Sequence, residues 1–274
     1  MIKKGYFTTS DKARIYYEDR GKGDPVVFVP GHMCTTKFFE RNAEDLSQTH
    51  RVICIDSRGF GRSSKPLHGN DIERHAQDIK ELIEWLNLEN VTLLGWSLSG
   101  SVVTVYAHKY NSFRLKALGL IDACLFPFSP EDWNSYNCKN YDMDAWNRKY
   151  ILWHQDTEQY ISNFVGRMSQ YLSPEEVQMV RDEIIKTPPW IGFALHTDWC
   201  HTDADSLLKE IDIPLIIFSG QSLGHGYSMG RHYKENAAGY CELHEYDRGG
   251  HMLFYVEYKR FDEQLRAFMA QISA

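Results

Sequence analysis

Ser97 lies in a stretch whose spacing suits an exposed nucleophile. The segment "GWSLSG" (residues 95–100) follows the apolar run "VTLL" and precedes the helical pattern "SVVTVYAHKY". A serine on so tight a strand-to-helix turn needs small residues two positions before it and two or three after it, because its backbone is strained and neighbouring segments pass closely. Gly95, Ser99 and Gly100 meet that need, although glycine is usual where Ser99 stands. The pattern predicts a nucleophilic serine beside a helix N-terminus that favours developing negative charge.

The elements around this turn indicate a parallel sheet. Several apolar runs are continuous rather than alternating, as expected of strands covered on both faces. A helical pattern over residues 71–88 has one apolar stripe, with Asn70 or Asp71 as its cap. Strand, helix and strand in sequence imply right-handed crossovers, and therefore an α/β fold with a doubly wound, mostly parallel sheet. Residues 6–21 predict an antiparallel hairpin at its edge. The runs are "VVFV" (26–29), "VICI" (52–55), "VTLL" (91–94), "ALGLI" (117–121) and "LIIF" (215–218).

A helical insertion interrupts the strand pattern after residue 122. Residues 173–184, "SPEEVQMVRDEI", predict a capped helix, and the strands resume at about residue 211. We therefore expect a core of residues 1–122 and 207–274 with a cap of residues 123–206. The insertion is rich in tryptophan, with Trp133, Trp146, Trp153, Trp190 and Trp199.

Composition restricts the partners of the chain. Its 274 residues are 43% apolar and carry a net charge of -7 without a basic stripe, which argues against nucleic acid and against a membrane surface. The N-terminus has no apolar stretch behind its lysines, so we expect neither a signal peptide nor an anchor, and a cytoplasmic protein. The six cysteines lie far apart without a CxxC pair, which predicts reduced thiols.

Four motifs together resemble the α/β-hydrolase superfamily, and the resemblance covers nearly the whole chain. They are "PGHM" (residues 30–33), "DSRGFGRSS" (56–64), "GWSLSG" (95–100) and "GGHMLF" (249–254). The resemblance implies an α/β-hydrolase fold with a helical cap and a cofactor-independent serine mechanism. Related dehalogenases and epoxide hydrolases use an aspartate at the position of Ser97, so their chemistries are not implied.

The resemblance also implies roles for individual residues. His251 lies in a Gly-Gly turn where the family carries its base, which takes the proton of Ser97 and later returns it to the leaving group. The backbone N–H groups of Leu98 and His32, with Met33 as the fallback for His32, would stabilise the oxyanion. His32, His196, His201 and His225 are possible pocket residues and weaker candidates for the base.

The acid is the unusual member of this set. Most of the family places it about three residues after the glycine that ends the later strand, and Leu223 stands there. Asp122 ends the strand "ALGLI" and resembles the acid of the haloalkane dehalogenase branch. We expect Asp122 to be the acid, although an aspartate at this strand end can also be a simple loop cap. Asp247, a cap carboxylate such as Asp198, and a dyad without an acid are the alternatives.

Pocket and metal interpretations follow from the same segments. Trp96 and Phe126 are expected at the rim of a pocket, where at least one cap tryptophan would face an apolar or aromatic substrate. The segment "HTDWCHTDAD" (residues 196–205) has metal-ligand residue types, but a polar cap helix explains it equally well, so no metal is predicted. Cys34 and Cys124 near the predicted site are expected to be packing thiols.

The sequence thus predicts a serine hydrolase of a small, apolar carboxylic ester or related acyl compound, with a small-molecule substrate and no cofactor. One alternative is a binding or signalling protein that keeps the fold with a weak or vestigial triad. Aminopeptidase, acyltransferase and cofactor-free perhydrolase activities also occur on this fold, and the fold alone does not choose among them.

Overall fold

The computed structural model describes residues 2–136, 143–221 and 227–274, and within these ranges eight strands form one sheet. The strands are β1 (Ile2–Thr8), β2 (Arg14–Gly21), β3 (Pro25–Val29), β4 (Arg51–Asp56), β5 (Val91–Trp96), β6 (Leu115–Ile121), β7 (Leu215–Gly220) and β8 (Cys241–Tyr246). Their order across the sheet is β1-β2-β4-β3-β5-β6-β7-β8. β1 with β2 and β2 with β4 pair antiparallel, and the other neighbours pair parallel.

Helices cover the sheet and fill the insertion. They are α1 (Glu40–Leu46), α2 (Ile72–Trp85), α3 (Ser99–Lys109), α4 (Met143–Gln155), α5 (Thr157–Gly166), α6 (Pro174–Ile184), α7 (Pro189–His201), α8 (Ser228–Asn236), α9 (Leu253–Val256) and α10 (Tyr258–Gln271). Among the described residues, no helix combines the length and apolarity needed to cross a bilayer.

The five apolar runs all form strands, and the α/β expectation is confirmed. Every residue of β3, β5 and β7 is buried, which is why their sequences are continuously apolar instead of alternating. The predicted hairpin is β1 and β2, at the antiparallel edge of the sheet. β5 and β6 are central neighbours, so the residues that follow them emerge close together at the carboxyl edge.

Helix starts follow the cap residues in the sequence. Asp71, not Asn70, caps α2, since its carboxylate accepts the N–H of Arg74 at 2.7 Å. α6 begins with a capping box in which Ser173 and Glu176 each accept the other's backbone N–H. The caps satisfy N–H groups that have no partner inside a helix.

The insertion between β6 and β7 packs onto the core through α7. The indole N–H of Trp199 lies 3.1 Å from Ser101 Oγ, in α3, and 3.0 Å from the carbonyl oxygen of Cys124. Within the described residues this insertion carries α4 to α7 and no strand. The boundaries of the cap at residues 123 and 206 and its independence as a folding unit stay predictions.

Candidate active site

Ser97 sits on the strained turn that the sequence predicts. Its φ of 57° is left-handed, between the end of β5 and the start of α3. A Cβ on Gly95 would lie 2.2 Å from the carbonyl oxygen of Ser99, and one on Gly100 would lie 2.3 Å from the Cβ of Ala123. Both positions therefore require glycine, and the turn presents Ser97 at the carboxyl edge of the sheet.

Ser99 has a role of its own in this turn. Its hydroxyl donates to the carbonyl oxygen of Pro30 at 2.5 Å, and its side chain is buried. Pro30 begins the loop after β3. The serine that replaces the usual glycine thus links the turn to that loop by a buried hydrogen bond.

The structure brings Ser97, His251 and Asp122 within hydrogen-bond distance of one another. His251 Nε2 lies 3.0 Å from Ser97 Oγ, and His251 Nδ1 lies 2.7 Å from Asp122 Oδ2. The side chains of His251 and Asp122 are 15% and 5% exposed. A nucleophile, a base and a carboxylate that orients the base are therefore arranged in the geometry of acyl transfer, although their catalytic roles stay a prediction.

Backbone groups of β7 hold Asp122 in place. Its own φ is 41°, and its N–H donates to the carbonyl oxygen of Phe218 at 2.7 Å. Its other carboxylate oxygen, Oδ1, accepts the N–H of Gly220 at 2.9 Å. One oxygen of Asp122 is thus held by the end of the neighbouring strand, while the other faces the imidazole. A residue that serves only to cap the loop would not need the contact with His251.

The turn that carries His251 also lies close to β7. Gly249 and Gly250 have φ values of 95° and 53°, in the region where glycine is favoured. A Cβ on Gly220 would lie 2.3 Å from the carbonyl oxygen of Gly250. Because both Gly220 in β7 and Gly250 in the turn lack a side chain, the turn lies close enough to β7 for the His251 imidazole to reach Asp122.

Trp96 is not at the pocket rim, contrary to the sequence-based expectation. It is 1% exposed, and its indole N–H donates to the carbonyl oxygen of His251 at 2.9 Å. Its ring also packs against the His251 imidazole, with centroids 5.3 Å apart. As the last residue of a fully buried strand, Trp96 points into the core beneath the site. Phe126 is half-buried and does not line the cavity at Ser97 either, so both pocket assignments are corrected.

The rival carboxylates have other partners. Asp198 accepts the N–H of Ile72 at the start of α2, and Asp247 accepts the hydroxyl of Tyr227 at 2.5 Å. Leu223, at the usual acid position, lies outside the described residues, as does His225. Among the described carboxylates, Asp122 is the one recorded within hydrogen-bond distance of His251.

The loop after β3 lies against the nucleophile. A Cβ on Gly31 would lie 3.1 Å from the Cβ of Ser97, and a turn from Gly31 to Cys34 follows, with Met33 at a φ of 62°. Within the described residues, the backbone N–H groups of His32, Met33 and Leu98 have no recorded backbone acceptor. They are therefore free to donate to an oxyanion.

A cavity of about 610 Å³, its open mouth included, lies above Ser97. We call it the Ser97 cavity. His32 and His196 line it, whereas His201 does not. Burial lowers the pKa of His32 to about 3 and that of His196 well below its usual range, so neither imidazole carries charge near neutral pH. Sequence reasoning missed Arg167, Met168 and Met229, which line the same cavity. The first two come from the insertion and Met229 comes from α8, and no local pattern marks a residue that tertiary packing brings to the site.

A second cavity lies among the helices of the insertion between β6 and β7 and measures about 680 Å³ with its open mouth. We call it the cap chamber. It shares Tyr136, Phe164, Arg167 and His196 with the Ser97 cavity, so the two spaces adjoin. Trp199 lines the Ser97 cavity, while Trp146 and Trp153 line the chamber. Trp199, a tryptophan of the insertion, therefore faces the cavity at Ser97, and contact of such a tryptophan with the substrate stays a prediction.

The candidate metal segment has dispersed contacts. His201 Nδ1 lies 2.8 Å from the carbonyl oxygen of Thr197, and Asp205 pairs with His232. In the part of the chain that the structure describes, no three His, Cys, Asp or Glu side chains form a group that could hold a metal ion. Burial raises the pKa of the Cys34 thiol, as expected for an unreactive packing residue.

The fold and the site define a known class of protein. The chain matches the alpha/beta hydrolase fold family over residues 24–258, and it therefore belongs to that family. The assignment agrees with the mostly parallel sheet and with a serine on the turn after β5.

Individual relatives are similar over different lengths. The AB hydrolase superfamily protein YisY of Bacillus subtilis (strain 168) is 25% identical over 279 residues, which is 98% of each chain. The structure of an esterase (EaEST) from Exiguobacterium antarcticum has a TM-score of 0.87 at 25% identity and covers 98% of this chain and 99% of its own. The bifunctional esterase/perhydrolase DCH of Acinetobacter calcoaceticus is 30% identical over 122 residues, 43% of this chain and 44% of that protein.

Proposed function

We propose that the protein is a serine hydrolase that cleaves a small carboxylic ester through an acyl-enzyme. The observation that carries this proposal is the continuous contact from Ser97 Oγ through His251 to Asp122, at 3.0 Å and 2.7 Å. The adjoining Ser97 cavity offers space for a small acyl group beside the nucleophile. Esterases among the similar structures agree with the same chemistry.

Acylation follows from these positions. Ser97 Oγ attacks the ester carbonyl carbon while His251 Nε2 takes the hydroxyl proton, and the Asp122 carboxylate stabilises the resulting imidazolium. The backbone N–H groups of Leu98 and of His32 or Met33 donate to the carbonyl oxygen as it gains charge. The bond from carbon to the leaving oxygen then breaks, and His251 returns the proton to that oxygen.

Deacylation repeats these steps with water. His251 removes a proton from a water molecule, whose oxygen attacks the acyl carbon of the Ser97 ester. The bond to Ser97 Oγ breaks, His251 returns the proton to that oxygen, and the carboxylic acid product leaves. Apart from the substrate and water, these steps use groups of this chain.

The first test is covalent labelling of Ser97 by a fluorophosphonate probe, followed by intact mass. Wild type should rapidly gain the mass of one phosphonyl group, with loss of HF, Ser97→Ala should gain none, and Asp122→Asn should react far more slowly. The rate of para-nitrophenyl acetate hydrolysis should be highest in wild type, much lower in Asp122→Asn and lowest in Ser97→Ala. A folded wild type that stays unlabelled and does not turn over would instead support the binding or signalling function.

Perhydrolysis is a second candidate activity, favoured by the similarity to the bifunctional esterase/perhydrolase DCH. Hydrogen peroxide would replace water in the second half-reaction and take the acyl group from Ser97 as a peracid. Peracid formation from acetate and peroxide, lost in Ser97→Ala, is the measurement. Hydrolysis of an ester without any peracid would exclude this candidate and leave the main proposal intact.

A further inference from the structure

The cap chamber is walled by aromatic rings. Trp153 and Tyr160 stack with centroids 4.3 Å apart, and Tyr150 lies 4.0 Å from Phe193. Such walls favour a flat aromatic group, which can pack on ring faces or against ring edges. The aromatic residues that line the chamber are Tyr136, Trp146, Tyr150, Trp153, Tyr160, Phe164 and Phe193.

Two cations stand on the same walls. Arg167 lines both cavities and Lys149 lines the cap chamber, and both side chains are exposed where these spaces open to solvent. Among the described residues, neither has a recorded ion pair or side-chain hydrogen bond, and Lys149 only lies 5.8 Å from the centre of the Trp146 ring. Within the part of the chain that the structure describes, they are unpaired positive charges, whereas the net charge of the chain is -7.

Negative charge is scarce around them. No carboxylate is recorded on the described walls of the cap chamber, and the Ser97 cavity has Asp122 alone. Both oxygens of Asp122 already face partners, Gly220 and His251. The local charge of the two cavities is therefore opposite in sign to that of the whole chain.

Both cations also act on His196, which lines both cavities. Burial is the largest cause of the low pKa of His196, and His32, Lys149 and Arg167 lower it further. His196 itself therefore stays neutral, so Lys149 and Arg167 supply the positive charge. Among the described residues that line the cap chamber, an anion at this place would face two cations and no carboxylate.

We infer that the preferred substrate is an ester with one aromatic arm that carries an anionic group such as a carboxylate. The ring would occupy the cap chamber, the anion would lie near Arg167 and Lys149, and the ester carbonyl would lie beside Ser97. This inference depends on the proposed ester hydrolysis, and it adds the class of substrate to it.

Two matched pairs of esters test it. Para-acetoxybenzoate and its methyl ester differ in charge on the leaving arm, and monoethyl and diethyl terephthalate differ in charge on the acyl arm. In at least one pair, wild type should favour the anion in kcat/KM by about fivefold or more, the value of one exposed ion pair worth about 1 kcal/mol. The preference should shrink as salt is added, because exposed charges are screened.

Variants assign the preference to the two cations. Arg167→Gln and Lys149→Gln should each reduce the ratio of anionic to neutral kcat/KM, and Arg167→Glu should favour the neutral ester. The control is Arg148→Gln, which removes the same charge from a neighbouring exposed position that lines neither cavity, and it should keep the wild-type ratio. Melting temperatures verify that each variant is folded.

The outcomes separate this inference from the proposed function. Hydrolysis of the neutral esters with no anion preference in either pair would overturn the inference and leave the hydrolase in place. A preference that survives in both Gln variants would overturn it as well. If wild type cleaves none of the esters and stays unlabelled by fluorophosphonate, the proposed function itself fails.

Discussion

Asp122, His251 and Ser97 reach one another because backbone contacts fix the strand ends that carry them. The N–H of Gly220 holds one oxygen of Asp122, and the indole of Trp96 holds the carbonyl oxygen of His251. The proposed acid, Asp122, therefore comes from the end of β6, and β7 contributes main-chain support. A carboxylate held on both oxygens is well suited to orient an imidazole.

Replacing Asp122 by asparagine should lower kcat about 10³- to 10⁴-fold, because the amide cannot stabilise the imidazolium and favours the wrong tautomer of His251. Steady-state hydrolysis of para-nitrophenyl acetate measures the loss. Asp198→Asn is the matched control, since that carboxylate accepts the N–H of Ile72 and asparagine keeps an acceptor oxygen. A larger loss in Asp198→Asn than in Asp122→Asn would mean that the acid is misassigned.

Trp96→Phe should lower kcat about five- to tenfold with little change in KM, because one hydrogen bond that positions the His251 turn is removed while the apolar ring remains. The comparison is Trp85→Phe, at a tryptophan that is 62% exposed on α2, which should behave like wild type. An unchanged kcat in a folded Trp96→Phe protein would show that the core packing alone positions the base.

At the scale of elements, a buried arginine joins the hairpin to the helical layer. Arg58 is fully buried and makes paired contacts with Asp11, in the turn after β1, and with Asp78 in α2. Burial raises the pKa of Asp78 even though Arg58 and Arg74 lie beside it. The carboxylate therefore depends on these cations to remain charged inside the fold.

Arg58→Met should destabilise the protein by about 3 kcal/mol, since Asp78 would be left with Arg74 as its single cationic partner. Chemical unfolding followed by circular dichroism gives the free energy of unfolding. Arg231→Met breaks the surface pair with Glu245 and should change the free energy of unfolding far less than Arg58→Met does, because water and salt screen an exposed pair. Equal losses in the two variants would contradict the role given to the buried network.

At the scale of the whole molecule, the C-terminal helix closes the core against α1. Asp262 of α10 is fully buried, and its Oδ1 accepts the Asn42 side-chain amide at 2.8 Å. Asn42 also donates to the carbonyl oxygen of Phe254. Burial raises the pKa of Asp262 from 3.8 to about 8, with nearby Asp45 adding to the rise and Arg266 opposing it.

This raised pKa makes stability depend on pH. Between about pH 4 and pH 8 the folded protein keeps a proton on Asp262 that the unfolded chain has released, so this residue lowers stability as pH rises through that window. Asp262→Asn removes the effect and keeps the acceptor for Asn42. The melting temperature of Asp262→Asn should therefore rise relative to that of wild type as pH increases, and the difference should change by a few degrees between pH 4 and about pH 8.

Differential scanning calorimetry across this pH range measures the difference. Asp182→Asn, at an exposed position on α6, should give a curve parallel to wild type. A constant difference between Asp262→Asn and wild type from pH 4 to pH 8 would show that Asp262 ionises normally in the folded protein.

The amino-acid sequence determined the layers of this fold and the turn on which the proposed nucleophile, Ser97, lies. Continuous apolar runs identify buried parallel strands, since both faces of such strands are covered. The "GWSLSG" turn identifies Ser97, because only small residues fit where Gly95 and Gly100 meet their neighbours. Helix caps such as Asp71 and Ser173 are likewise local, so a single sequence reveals them.

Only the tertiary structure decided which side chains share a cavity. Trp96 and Phe126 are near Ser97 or Asp122 in sequence, yet the direction of each side chain depends on neighbours that come from distant segments. Lys149 of α4 lines the cap chamber and Arg167, directly after α5, lines both cavities. The packing of these helices brings them there and leaves no periodic signal in the sequence. The two-sided support of Asp122 is also non-local, because β7 follows β6 in the sheet only after the whole cap has been traversed.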